Sequence, residues 1–192
     1  MIDIQAMINR WQEGDERAAE LLYQHFCAPT FRLAYGLLGN AQDAEEAAQD
    51  ALNYALSHIA HYDPARASFR TWLHTITVSR CRDRQRRIRP PLVALAEWLG
   101  LGYDIPSPGP GPERQAVLKE NHDAVWDAVQ TLRPLLREAI LLRYWADHTF
   151  GEMAEILDCP VQTAQSRVRL AYQHLRRALS GAGLPAFEEE ER

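Results

Sequence analysis

Apolar residues recur at three- and four-residue spacing along almost the whole chain, the period of helices that bury one face. Ile4, Met7, Ile8 and Trp11 form the first stripe, with Asp3 placed to cap it and Gly14 to end it. Asp15 can cap a second helix with Leu21, Leu22, His25 and Phe26 inward, closed by Pro29. A third, with Phe31, Leu33, Ala34, Leu37 and Leu38, is stopped by Gly39-Asn40. From Ala41 to Ile59 the buried stripe is made of small residues, Ala44, Ala47, Ala48, Ala51, Leu52 and Ala55. Asp43, Glu45, Glu46, Gln49 and Asp50 then lie outward near its start, where acids favour the helix dipole. The run from His61 to Pro64 breaks this helix, because the residue before a proline is pushed out of the helical region.

Ser68 to Arg89 departs from the pattern. Phe69, Trp72, Leu73 and Ile76 make an apolar stripe in its first half, and after Ile76 the stripe stops. Eight arginines against the one acid Asp83 fill Arg66 to Arg89. The spacing predicts a helix anchored by its first half, with a cationic second half held in solvent. Pro90-Pro91 stops it.

Residues 90 to 115 are of another kind. After a short apolar segment from Leu92 to Leu101, which fits a helical turn or two, Pro106, Pro108, Pro110 and Pro112 alternate with Ser and Gly, which fits an extended linker. Beyond it helical spacing resumes, with Val117, Val125, Trp126 and Val129 inward. Pro134 stands at a first helical position, followed by Leu135, Leu136, Ile140, Leu141 and Tyr144 as inward residues. Thr149 and Glu152 have the spacing of a capping box, opening a short helix with Met153, Ala154, Ile156 and Leu157. Asp158-Cys159-Pro160 is a tight break, a long helix runs from about Val161 to Leu179, and Gly181, Gly183 and Pro185 end it before the acidic run Glu188 to Glu191, predicted to be disordered. The fold class is all-α: two small helical domains, 1–89 and 116–180, joined by a Pro/Gly-rich linker 90–115 and followed by an acidic tail 181–192. Each half is long enough to bury a core of its own.

Composition changes this picture in one respect. The net charge of −5 argues against a nucleic-acid partner until it is resolved along the chain. Residues 1–60 hold nine acids and three arginines, whereas Arg66 to Arg89 is strongly cationic and Val161 to Ser180 has four arginines and no acid. Segregated charge of this kind offers separate surfaces to acidic and basic partners. The three cysteines, Cys27, Cys81 and Cys159, are odd in number and far apart, which points away from a disulfide framework and toward a reducing compartment. With no apolar run of membrane-spanning length and no export signal, a cytoplasmic protein without membrane insertion is expected.

A capped short helix, a three-residue break and a second helix with a polar start is the helix-turn-helix pattern. The start of the second helix would enter the major groove, so Gln162, Thr163, Gln165, Ser166 and Arg169 are candidates to meet bases or phosphates, with Gln suited to adenine and Arg to guanine. Arg167, Arg176 and Arg177 suit phosphates or capping. His58 and His61 have a spacing that two metal ligands can use, but no further ligands complete a site, so no metal is expected. No phosphate loop, nucleophile elbow or paired-carboxylate set appears, and neither an enzyme nor a cofactor is expected.

Three stretches resemble the sigma-70 family of RNA polymerase initiation factors, in its small extracytoplasmic-function group. DAEEAAQDAL, Asp43 to Leu52, is similar to the region 2 pattern D-A-E-D/E-x-x-Q-D/E. YDPARASFRTWLHTI, Tyr62 to Ile76, is similar to F-D-P-x-x-G-x-F-R-x-W-L-x-x-I. Phe150 to Leu179 is similar to the region 4 pattern E-I-A-x-x-L-G-x-P-x-x-T-V-x-S-R-x-x-R-A. Departures are Ala67 for the usual Gly, Ser79 for Asn, Asp158 for a helix-ending Gly, and Ala164 and Gln165 for Val and Lys.

The resemblance implies a sigma factor that binds core RNA polymerase and directs promoter-specific initiation. It implies that Asp43, Glu46, Gln49 and Asp50 meet the polymerase beta-prime subunit. His61 and Tyr62, with Arg80, Arg82, Arg84, Arg86 and Arg87, would then recognise and open the minus-ten element, since single strands favour a cationic groove with flat side chains. Gln162, Thr163, Gln165, Ser166, Arg167 and Arg169 would read the minus-thirty-five element. The implied partners are the beta and beta-prime subunits, promoter DNA and an anti-sigma factor. Two other readings fit the residues alone: a conventional helix-turn-helix regulator acting without polymerase, and a sigma-like adaptor that binds a protein and not DNA.

Overall fold

A computed structural model describes residues 3–88 and 118–180, and among them there is no strand. Helix α1, Ile4–Gln12, is capped by the Asp3 carboxylate, which accepts from the Ala6 amide at 3.0 Å. Helix α2, Glu16–Leu38, is capped by Asp15 on the Arg17 and Ala18 amides. It does not stop at Pro29, which lies inside it. A proline there removes one helical hydrogen bond, at a cost of about 3 kcal/mol. Burial of Leu22 and Phe26 before it and of Leu33, Ala34 and Leu37 after it keeps one apolar face and outweighs that cost. Gly39, at φ 70°, ends the helix in the left-handed region.

Helix α3, Ala41–Ser57, buries all six residues of the predicted stripe, five alanines and Leu52, and the small alanines let it lie close against α2. A single 3₁₀ turn, Ile59–His61, leads to the break before α4, Phe69–Ile88. Ser68 stabilises the start of α4 by accepting from the Thr71 amide at 3.1 Å. The second half contains α5, Leu118–Thr131, and α6, Pro134–Ile140, which continues into a π-helical turn at Leu141–Trp145. Then come α7, Phe150–Leu157, and α8, Val161–Ser180. The π turn adds a residue to the helical repeat, and Tyr144 swings outward, 65% exposed. Leu135 also lies outward, so neither side chain takes the predicted inward position.

The halves do not keep separate cores. One apolar cluster joins Leu33, Leu37, Ala44 and Ala47 of the first half to Leu132, Leu142, Met153 and Ile156 of the second. A smaller cluster lies within the first half, around Ile8, Leu22, Leu52, Phe69 and Leu73. Gly36 permits the close approach: a Cβ built there would come within 2.9 Å of Leu141 Cδ1. Gln130 donates to the Gly36 carbonyl at 3.0 Å, and Arg137 and Gln85 each donate to that of Leu37 at 3.1 Å. The segment from Leu92 to Leu101, the proline-rich linker and the acidic tail fall outside the described residues.

Candidate polymerase and nucleic-acid interfaces

Helix α4 is flanked by α2, α3 and α7. Its predicted stripe is real: Phe69 and Leu73 are buried, and Trp72 and Ile76 pack against the same cluster. A second buried face, carrying Thr71, His74, Thr77, Val78 and Cys81, was not visible in the hydrophobic pattern because most of it is polar. Thr77 donates to the Leu73 carbonyl at 2.8 Å. Thr71 donates to Glu152 of α7 at 3.1 Å, and His74 meets His148 across the interface. Burial drives the Cys81 thiol up to about 12, which leaves it inert at neutral pH.

The cationic half of α4 is not held free in solvent. Arg82 donates from Nε and Nη2 to the Glu138 carboxylate at 2.9 and 2.7 Å. Glu138 itself is buried in α6. The hydrogen bonds from Arg82 to Glu138 hold the guanidinium's proton more tightly than usual. Arg84 bonds Asp43 at 2.9 Å and also Glu46, and Arg86 pairs with Asp83. Arg87 is exposed. The guanidinium of Arg80 lies over the ring of Tyr54, 4.9 Å from its centroid, and its buried Nε has no hydrogen-bond partner.

The flat side chains at the α3–α4 junction sort into two groups. Tyr62 is 8% exposed and packs on Phe69 and Trp72, with ring centroids 5.5 and 5.4 Å away. Its ring is core in this conformation and does not face solvent. His61 is exposed and continues a column that sequence reasoning missed. Tyr54 stacks on His58 at 4.0 Å, and His58 on His61 at 5.7 Å. The signal was present as aromatic and imidazole rings at positions 54, 58 and 61, one helical turn apart. On the neighbouring acidic face, Asp43 and Glu46 are engaged by Arg84, while Gln49 and Asp50 stand exposed.

The helix-turn-helix is built as its residues dictate. The Thr149 hydroxyl oxygen accepts from the Glu152 amide at 3.3 Å, and the Glu152 carboxylate accepts from the Thr149 amide at 2.8 Å, completing the capping box. Burial alone would raise the Glu152 carboxyl, but the bonds from Thr149 and Thr71 outweigh it and hold it at about 2. Asp158 ends α7 in the left-handed region, at φ 50°, a conformation that Asp tolerates better than most side chains. Ala164, Val168 and Ala171 are buried on one side of α8. Gln162, Gln165, Ser166 and Arg169 fall at i, i+3, i+4 and i+7 on the other side, all exposed. Thr163 and Arg167 sit at the edge, half-buried, with Arg167 3.8 Å from the Cys159 sulfur. Among the described residues no three His, Cys, Asp or Glu side chains gather to hold a metal ion, and no helix is long and apolar enough to cross a membrane.

Comparison with known proteins places this architecture. The sigma-70 region 2 model matches residues 22–90 and the sigma-70 region 4 model residues 122–175. Over 92% of its length the chain is 30% identical to the ECF RNA polymerase sigma factor SigW of Bacillus subtilis, of which it spans 96%. It is 31% identical to the ECF RNA polymerase sigma factor RpoE of Cereibacter sphaeroides over 86% of its length and 88% of that protein. Among solved structures, the fold is similar to CnrH in complex with the cytosolic domain of CnrY, with a TM-score of 0.66 and 20% identity over 93% of this chain and 99% of that one. The sigma factor RpoE of Bartonella quintana, solved with the anti-sigma factor NepR, gives 0.65 and 22% over 84% and 96%. The chain belongs to the sigma-70 family, in its extracytoplasmic-function group. It is a sigma factor directing transcription initiation, a non-enzymatic role carried out with RNA polymerase on promoter DNA.

Proposed function

We propose that this sigma factor divides its work between a polymerase-docking and DNA-opening half, residues 1–89, and an upstream-reading half, residues 116–180, linked by 90–115. The observation that carries the second assignment is the exposed row Gln162, Gln165, Ser166 and Arg169 at the start of α8, opposite a buried row. Four side chains of this kind on one face suit base edges and phosphates in a major groove, here those of the minus-thirty-five element. Thr163 and Arg167 flank them. In the first half, Gln49 and Asp50 lead the surface offered to the beta-prime subunit, and Asp43 and Glu46 join it when Arg84 releases them. The minus-ten strand meets His61, Arg80 and Arg87, with Arg82, Arg84 and Arg86 joining as their carboxylates are given up. Tyr62 supports this surface from the core beneath it. The protein acts in the cytoplasm, beside the polymerase, and an anti-sigma factor is the partner that would hold it inactive.

Purified chain added to core polymerase on a promoter library, scored for run-off transcripts, tests this reading. Transcripts from a defined subset of promoters are expected. Duplex binding without transcripts would favour a conventional helix-turn-helix regulator, and neither binding nor transcripts an adaptor.

A further inference from the structure

His74 and His148 take no part in any contact proposed above with polymerase or DNA. They are 3% and 0% exposed, one on α4 and the other just before α7, on opposite sides of the boundary between the two halves. His74 Nδ1 lies 2.7 Å from His148 Nε2, and the rings meet edge to face. That gap holds one shared hydrogen, so the contact cannot form with both rings protonated, and a single added proton would leave its charge buried. The outward nitrogens, His74 Nε2 and His148 Nδ1, are buried without a hydrogen-bond partner. The nearest carboxylate oxygen to His148 Nδ1, on Glu152, is 3.6 Å away.

The charged surroundings nearly cancel. Arg70 of α4 donates to the Asp147 carbonyl at 3.3 Å, and Arg143 of the π turn donates to that of His148 at 3.0 Å. Glu152 of α7 and the exposed Asp147 supply the negative charge. Burial pushes His74 down to about 3, with His148 and Arg70 acting in the same direction. Burial also lowers His148, joined by Arg70 and opposed by Glu152.

We propose that the His74–His148 contact is a proton-gated latch, which keeps the two halves closed while both rings are neutral and releases them when the rings take up protons. Protons bind the open form more tightly, because burial has lowered both rings' affinity in the closed form. Closure is therefore fully present above the ordinary histidine value of about 6.5 and weakens as pH falls below it. From pH 7.5 to 5.5 the open-to-closed ratio rises roughly tenfold if one proton is taken up and roughly a hundredfold if two are. Opening separates Glu138 from Arg82 and uncovers the face of α4 beneath α7. The consequence for promoter engagement rests on the function proposed above. The latch does not, since its test needs neither polymerase nor DNA.

Small-angle X-ray scattering of the full chain between pH 7.5 and 5.5, with circular dichroism on the same samples, reads closure directly. The radius of gyration should grow with a midpoint below 6.5 while helix content is unchanged, and the His74→Gln/His148→Gln double variant should stay compact. A constant radius in the wild type, expansion accompanied by helix loss, or expansion of the double variant at the same midpoint would overturn the latch. Imidazole NMR of the wild type decides the matter if the variant does not fold. The His74 and His148 signals should titrate together with the expansion, and expansion with both rings still neutral would contradict it.

Discussion

Helices α4 and α8 are each 20 residues long and rich in arginine, yet they hold their charge in opposite ways. Helix α8 rests on one buried row and leaves the other row to solvent. Helix α4 is packed by three neighbours, and Arg82, Arg84 and Arg86 are paired with carboxylates of the same chain. Charge along a sequence therefore does not measure charge available to a partner. In α8 the proposed recognition surface is ready-made, and in α4 much of the proposed one has to be released. The difference arises from depth: a helix covered on two sides meets most of its polar groups from within the chain, and Glu138, Glu152 and the backbone carbonyls of α4 do so for Arg82, Thr71 and Thr77.

Substitutions can break this contrast, beginning with the core. Leu73→Ala, at a fully buried position of α4, should cost about 2–5 kcal/mol in urea unfolding, whereas Leu170→Ala, half in water on α8, should stay within about 0.5 kcal/mol. Equal costs would mean that the two helices are equally covered. Next is the ion pair across the halves. Glu138→Ala strands Arg82, which keeps 32% of its side chain exposed. A loss of about 2–3 kcal/mol is expected, below the 3–5 of fully buried pairs, with Glu138→Gln losing less. No change in either variant would show that the pair does not hold the halves together.

The capping box gives a smaller effect than the core or the ion pair. Thr149→Ala should cost about 1 kcal/mol and release the Glu152 carboxyl toward its ordinary value. A carboxylate held down in the fold stabilises it above its unfolded value of about 4.5 and loses that contribution as pH falls toward 2. Thermal melts from pH 5 to pH 2 should therefore fall less steeply in Thr149→Ala than in the wild type.

These positions also show what the sequence could reveal. The alanine stripe of α3, the caps at Asp3 and Asp15 and the Thr149–Glu152 box are local patterns with a fixed period, and each formed as read. Continuity of α2 through Pro29 depended on burial at both ends, which a local break signal does not register. The second face of α4 was hidden because Thr71, His74 and Thr77 look solvent-bound until a second domain covers them. The burial of Glu138 left no local signal, because its partner, Arg82, is 56 residues away. Tyr62, expected on the DNA-facing surface, lies in the core: an aromatic residue suits a core or a stacking surface equally well, and only packing separates the two. Tyr144 turned outward because a π turn has no period that the sequence announces.

The central claim is that the exposed row of α8 reads DNA sequence, and Arg169→Ala tests it most directly. Binding titrations on a panel of minus-thirty-five duplexes at fixed salt should show a loss of about 1–3 kcal/mol on the preferred sequence and a much smaller loss on the others. An equal loss on every sequence would reduce Arg169 to a phosphate contact and contradict the account.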